Sequence, residues 1–401
     1  MKKISAFLAA LALFLFTAAT LSLAARRLVP KEEPSFCTWT LEEKENYLSG
    51  LKENLLTDSI PVFGSSEFQH GLDTPYHPAN LFADSDFHPL LLGGGYYQSL
   101  YHAITLAAIE PYLPSADSGH RKAVLILSPQ WFRKTGVVDQ AFSSRFSEYM
   151  YVSMLCNDRL SEETRAYLSS RTHTLLGAVD TKTDGHIQLH EKVLWKQEGT
   201  FAETKYEALW NVFLKEKDFF QLAADITAAK LTGTWPAASD PDGQTSDIDW
   251  SLLLSQAEAD GVRENQNELY ISDESYQKLL PYLPSKKDMN KDAKKGYQKS
   301  PEYDDLRCFL RVCRELDIHP LLVILPVNGY YYDYTGFPVT AREGYYENIR
   351  HAAAEFQAQT ADFSDQEYTK YFFEDRVHIG KTGWVKINES IYRFYKEMDG
   401  I

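Results

Sequence analysis

Residues 59–67, SIPVFGSSE, decide the fold. The apolar run from Ser59 to Phe63, closed by Gly64-Ser65-Ser66-Glu67, reads as a short buried strand entering a tight turn. Downstream, the triplet Leu90-Leu91-Leu92 leads into Gly93-Gly94-Gly95. Residues 98–110, QSLYHAITLAAIE, then carry apolar side chains at helical spacing until Pro111 and Pro114 stop them. The next strand is predicted at 123–127, followed by Ser128-Pro129-Gln130-Trp131-Phe132. Toward the C-terminus a helix is predicted at 301–316, a buried strand at 320–325, and a helix at 340–357 opened by a Thr340…Glu343 capping box. This alternation predicts an α/β fold with a largely parallel sheet, helices on both faces and a ligand site beyond the carboxyl ends of the strands.

Between the two α/β segments the pattern turns helical and polar. Helices are predicted at 140–156, 162–176, 204–229, 250–260 and 273–283, so residues 137–300 read as a helical insertion in a domain spanning 31–401. Residues 239–249, SDPDGQTSDID, resemble a calcium loop only superficially, because the EF-hand spacing and its bidentate Glu are missing. Residues 285–300 hold six lysines against two aspartates, a local charge of +4 in a chain of net charge -15.

Ahead of the domain, residues 1–30 read as a membrane anchor. The uncharged run 4–25 spans 22 residues, about 33 Å as a helix against a hydrocarbon core of about 30 Å. A cleaved signal peptide is the competing reading; its apolar region would be long, and the expectation is an uncleaved single span. Lys2 and Lys3 on one side nearly balance Arg26, Arg27 and Lys31 on the other, so charge leaves the orientation open.

Among 401 residues, 44% are hydrophobic and 13% aromatic, which excludes a disordered chain. The acidic balance argues against a nucleic-acid partner, since neutralising many phosphates takes a basic face. The four cysteines, Cys37, Cys156, Cys308 and Cys313, are too few and too scattered for a disulfide scaffold or zinc knuckles, and Cys308 and Cys313 are expected to be buried and unbridged.

A serine hydroxyl needs a tight turn, a His base and an orienting carboxylate to attack an acyl group. Gly64-x-Ser66 after the first strand supplies the turn, where backbone amides can hold an oxyanion. Far downstream, Asp375-Arg376-Val377-His378 places a carboxylate three residues before a His, ahead of a terminal helix beginning at Gly383. Each motif alone is weak. Together, in this order, they match the layout of SGNH-type hydrolases, and the candidate catalytic residues are Ser66, His378 and Asp375.

At this point the chain resembles the DltD family, membrane-anchored SGNH-like proteins of D-alanyl-lipoteichoic acid synthesis. The matching segments are Gly64-Ser65-Ser66-Glu67, Gly93 to Leu100, SPQWF at 128–132, SPEY at 300–303, LPVNG at 325–329 with YDYTG at 332–336, and Asp375 to His378. The resemblance implies a flavodoxin-like SGNH fold and serine acyl transfer of D-alanine onto lipoteichoic acid in Gram-positive bacteria, without a cofactor. Ser66 matches the nucleophile, His378 the base and Asp375 its orienting acid. As partners it implies a lipoteichoic acid acceptor and a D-alanyl donor, either a membrane O-acyltransferase or D-alanyl carrier protein. The location it implies is the cell membrane, with the soluble domain outside. Two alternatives stay open: a cytoplasmic thioesterase clearing mischarged carrier, and a non-catalytic scaffold.

This sequence departs from the general SGNH pattern. Ser65 stands where an Asp normally precedes the nucleophile, and SPQWF replaces the block that carries an oxyanion Asn. The candidate oxyanion groups are the amides of Ser66 and of the Gly94-Gly95 turn, with Gln130 as a side-chain donor or, alternatively, as a residue pinning its loop. Glu67 is read as a carboxylate favoured at a helix start, with a hydrogen-bond role near the nucleophile as the alternative. No metal site is expected: His186 and His190 are four apart near Asp184 and Glu191, with no third ligand at a recognised spacing. The tyrosines Tyr96, Tyr97, Tyr330, Tyr331, Tyr332 and Tyr334 either line a cleft or pack and anchor loops.

Overall fold

The computed structural model describes residues 2–56, 59–115, 119–236, 248–283 and 290–397. Five strands, β1 (Pro61–Phe63), β2 (Leu90–Leu92), β3 (Lys122–Leu127), β4 (His319–Ile324) and β5 (Gln359–Asp362), form one parallel sheet in the order β2-β1-β3-β4-β5. This is the flavodoxin-like order, in which the chain turns back between β1 and β3 and opens a crevice beyond their carboxyl ends. The first three strands are buried throughout, as expected of parallel strands covered on both faces.

Handedness sets the helical layers. The crossovers into β3, β4 and β5 all run in one direction along the sheet, so their helices Ser99–Ile109, Glu302–Glu315 and Val339–Phe356 share a face and pack against one another. The step from β1 to β2 runs the other way. Its residues Phe68, Phe82 and Phe87 meet Trp384, Tyr392 and Tyr395 of the terminal helix Lys381–Lys396.

Three local expectations need correction. The capping box at Thr340 does not form: the helix starts at Val339, after an extended Pro338 whose carbonyl accepts the amides of Ala341 and Arg342, and Thr340 lies inside the first turn. The single helix expected at 140–156 is two, Asp139–Arg145 and Glu148–Leu155. Extended Phe146 packs its ring between Phe142 and Tyr151, and Ser147 then caps the second helix at Met150 N. Strand β5 was not anticipated, because QTAD is a mostly exposed edge strand without an apolar run.

The segment between β3 and β4 is helical, with Glu162–Leu176 at the predicted bounds and a 32-residue helix, Phe201–Thr232, opened by a Thr200–Glu203 capping box. Its apolar residues, among them Phe142, Tyr151, Leu168 and Ile226, join the same continuous core as the sheet. The calcium-like loop, apart from residues 248–249, and Lys286 and Lys287 of the lysine-rich segment lie outside the described residues. At the N-terminus Lys2–Leu28 is one helix, and its stretch Ile4–Leu28 is long and apolar enough to cross a membrane. Cys37, Cys308 and Cys313 are buried and Cys156 is exposed; all four are unbridged.

His186 and His190 sit in an ion-pair network. His190, almost fully buried, meets Glu207 at 2.7 Å through Nδ1 and Glu148 at 2.9 Å through Nε2, while His186 faces Glu148 at 3.3 Å. Burial opposes charge on His190, but its hydrogen bonds to the two carboxylates outweigh it and push the pKa up to about 9. The unfolded value is about 6.5, so this stabilisation is complete below that pH and is lost as pH rises through about 9. His190→Ala, which strands two carboxylates, is expected to cost about 3–5 kcal/mol. It should also shallow the fall in stability across that window, read from denaturant unfolding in detergent at a series of pH values. His173, held by Asp184 and Glu191, titrates with the same sign and leaves part of the slope.

Candidate active site

The serine turn follows β1 directly. Gly64 N donates to Leu92 O at 2.9 Å, which extends the β1–β2 register by one residue before the chain turns. Gly93 approaches this turn so closely that a Cβ there would lie 2.2 Å from Gly64 O, and its φ of +137° is one that L side chains rarely adopt. Ser65 is pinned twice: its amide donates to Glu67 Oε2 at 2.7 Å and its hydroxyl to Gly94 O at 3.1 Å. Glu67 stands in the first turn of a short helical element, the helix start expected of it, and there it is fully buried and also buttresses the turn through the Ser65 amide. Ser66 then opens the 3-10 turn Ser66–Gln69.

A second loop comes from the other end of the chain. Phe373 and Ile379 bridge as an antiparallel pair, and Glu374 N donates to His378 O at 2.9 Å, closing the loop that carries Asp375 and His378. Asp375 Oδ1 accepts the amides of Val377 and His378, each at 2.7 Å, and Oδ2 takes His378 Nδ1 at 2.8 Å. The opposite ring nitrogen, His378 Nε2, lies 2.9 Å from Ser66 Oγ, although 312 residues separate the two in sequence. Burial would raise the Asp375 pKa, but hydrogen bonds from His378 and the two amides hold it well below the usual carboxylate range. For His378 burial opposes protonation, yet the hydrogen bond and charge of Asp375, then Glu67 and Glu374, raise its pKa above the ordinary 6.5.

His70 carries no sequence signal and joins this group through tertiary packing alone. Its ring stacks on His378 at 3.5 Å with planes 9° apart, and its Nδ1 faces Glu374 at 3.4 Å. His70, Asp375 and His378 each bring one donor atom within 4.8 Å of the others. Stacked rings send their in-plane lone pairs along parallel planes instead of converging on one point about 2.0–2.1 Å from each nitrogen. The arrangement suits steadying a base better than holding an ion.

The expected oxyanion groups are placed unequally. Gly94 meets the serine turn through its carbonyl, as an acceptor, and the Cα positions of Gly94 and Gly95 lie against Glu42. Gln130, in the turn Pro129–Phe132 after β3, lies beside Arg376 and Val377 at the mouth of a cleft, and among the described residues no hydrogen bond engages its amide. The role of pinning its own loop is therefore not the one it adopts.

That cleft has a volume of about 910 Å³ and is strongly cationic: among the described residues, Arg133, Lys134, Lys291, Lys294, Lys295, Lys299 and Arg376 line it against one carboxylate, Asp292. Tyr297, Tyr331 and Tyr332 form part of its wall, Tyr332 also bonding Tyr297 hydroxyl to hydroxyl at 2.8 Å. The remaining tyrosines divide: Tyr97 is buried in the core, Tyr330 packs against Tyr270 and Tyr368, Tyr334 is half-buried at the end of the helix Gly329–Tyr334, and Tyr96 is exposed. The basic segment alone was visible in the sequence; Arg133, Lys134 and Arg376 reach the same cleft only through the fold.

A 2-1-3-4-5 parallel sheet with a serine turn after β1 and a D-x-x-H loop before the last helix defines an SGNH-like α/β protein. The chain belongs to the DltD family: the model of the DltD protein matches residues 39–396. Protein DltD of Bacillus subtilis (strain 168) is 32% identical over 356 residues, covering 86% of this chain and 85% of that protein. Protein DltD of Staphylococcus aureus is 25% identical over 375 residues (89% and 88%), and that of Lacticaseibacillus rhamnosus 26% over 365 (86% and 79%).

Proposed function

We propose that this protein transfers D-alanine to lipoteichoic acid through an acyl-serine intermediate. The observation that carries this reading is the continuous contact Ser66 Oγ–His378 Nε2–Asp375, at 2.9 and 2.8 Å. His378 Nε2 takes the Ser66 proton as Oγ attacks the alanyl ester or thioester carbonyl, and the same proton leaves on the departing oxygen or sulfur. The Ser66 amide and the Gln130 side chain are the candidate donors for the developing oxyanion. A glycerol hydroxyl of the acceptor, deprotonated by His378, then attacks alanyl-Ser66, and the proton returns to Ser66 Oγ. Asp375 fixes the imidazole and balances its transient charge.

The cationic cleft supports a phosphate-bearing acceptor. Exposed lysines in a cleft that reaches the catalytic loop at Arg376 and Val377 raise the encounter rate of a polyanion through screened, long-range attraction more than they tighten binding. Replacing Lys291, Lys294, Lys295 and Lys299 with Gln is expected to raise the acceptor KM and flatten its dependence on salt. Cleavage of a small neutral ester at Ser66 serves as the reference that does not change. Wild-type acceptor kinetics with an unaltered salt slope in the fourfold variant would remove the acceptor role.

Lipoteichoic acid and a cytoplasmic carrier lie on opposite sides of the membrane. Protease added to intact cells is expected to digest the soluble domain. Full protection of that domain would instead favour hydrolysis of mischarged carrier.

A further inference from the structure

The apolar N-terminal helix does not leave the body as a free tether. It packs along Phe201–Thr232, and Ala18, Ser22, Ala25 and Arg26, at helical spacing, are covered or partly covered on one face. Ser22 Oγ donates to Glu216 Oε2 at 2.6 Å, while Arg26 pairs with Glu216 and lies 4.0 Å over the Phe219 ring. Since Ala18, Ser22 and Ala25 belong to the apolar run itself, the helix packed against them is held at the depth of the membrane boundary.

Glu216 marks the outward side of Phe201–Thr232. On that side, at i−7, i−4, i−3 and i+4 from it, stand Leu209, Val212, Phe213 and Phe220, exposed by 72, 59, 50 and 40%. Leu214, on the far side, and Leu222 and Ile226, on one flank, are spent on the core. A contiguous apolar stripe of this kind is rare on a surface that faces water. Lys215 and Lys217, one residue either side of Glu216 and so about 100° to each side of the stripe, can extend toward anionic headgroups.

We infer that this stripe lies in the headgroup–acyl boundary of the bilayer, making Phe201–Thr232 an interfacial helix beside the span. A second copy of the chain would have to cover the stripe where the span already occupies its middle at Glu216; lipid fills the space on both sides of the span without that conflict. Two attachments would stop the body from swivelling about residues 29–33 and would fix the height of Ser66 above the membrane. The inference rests on the span staying attached and is independent of the acyl-transfer chemistry.

The test uses the full chain with Cys156→Ser, which removes the exposed thiol. Leu209→Cys, Phe213→Cys and Phe220→Cys, with Lys278→Cys as a water-facing reference, are each spin-labelled and reconstituted into phosphatidylglycerol-containing vesicles. At the three stripe positions, relaxation by oxygen is expected to exceed relaxation by a water-soluble nickel chelate several-fold, with the reverse at Lys278. Stripe labels that follow the Lys278 pattern would overturn the inference. So would stripe labels shielded from both reagents, which would mean that protein covers the face.

Discussion

Ser66→Ala and His378→Ala are each expected to reduce D-alanine transfer by at least about two to four orders of magnitude, the usual worth of an oriented general base and its nucleophile. The two losses should not multiply, because either change alone removes the same proton-transfer step. Ser66 opens a short turn, and the position of Ser65 is set by Glu67 and Gly94 rather than by the Ser66 hydroxyl, so the folded body should persist in Ser66→Ala. His378→Ala keeps the backbone bonds that close its loop, including Glu374 N to His378 O. The measurement is D-alanine ester content of lipoteichoic acid in cells, alongside the amount of membrane-inserted protein. Near-normal ester content with Ser66→Ala would favour a scaffold.

Asp375→Asn is expected to be the next most damaging change, and it carries its own signature. The carboxylate serves three donors at once: two backbone amides through Oδ1 and the His378 ring through Oδ2. An amide has one acceptor atom and one NH2. If its oxygen stays on the backbone, the NH2 faces Nδ1, which then must accept, and the ring proton moves to Nε2, where it blocks abstraction from Ser66. The cost of a wrong tautomer in such a triad is about 10⁴ in kcat; Asp375→Ala, which leaves space for water, should cost less than loss of Ser66 or His378. The residual activity should also titrate differently. On the proposed mechanism transfer needs neutral His378, so the rate is expected to rise with pH through a His378 pKa that Asp375 lifts above 6.5. With the carboxylate gone, burial prevails and the acid limb of kcat/KM should move to lower pH. An unshifted limb would mean that another group governs it.

What could be read in the sequence follows burial. Strands β1 to β4 stand out because buried parallel strands are near-continuous apolar runs such as VLIL and LLVI, whereas β5 is specified by its pairing with β4 and by little in QTAD itself. Glu162–Leu176 had legible ends because Ser161 caps it locally, at Thr164 N. The break at Phe146 had none, since it depends on where that ring finds a pocket. The same division holds at the site. The spacings G-x-S and D-x-x-H can be quoted from the chain, and the sheet order carries them to one edge. His70 on His378, Ser65 on Gly94, and Arg133 and Arg376 beside the lysines are contacts between distant segments, which no local pattern encodes.

The acyl-serine intermediate is the step on which the proposed chemistry stands. Purified full-length protein in detergent, mixed with a D-alanyl thioester and quenched in acid within one turnover, can be digested and its peptides weighed. The expected result is one alanyl group on the peptide that contains Ser66, labile to hydroxylamine, absent from Ser66→Ala, and discharged when lipoteichoic acid is added before the quench. Transfer of alanine to lipoteichoic acid by the Ser66→Ala protein at the wild-type rate, with no alanyl group on that peptide at any time, would contradict it.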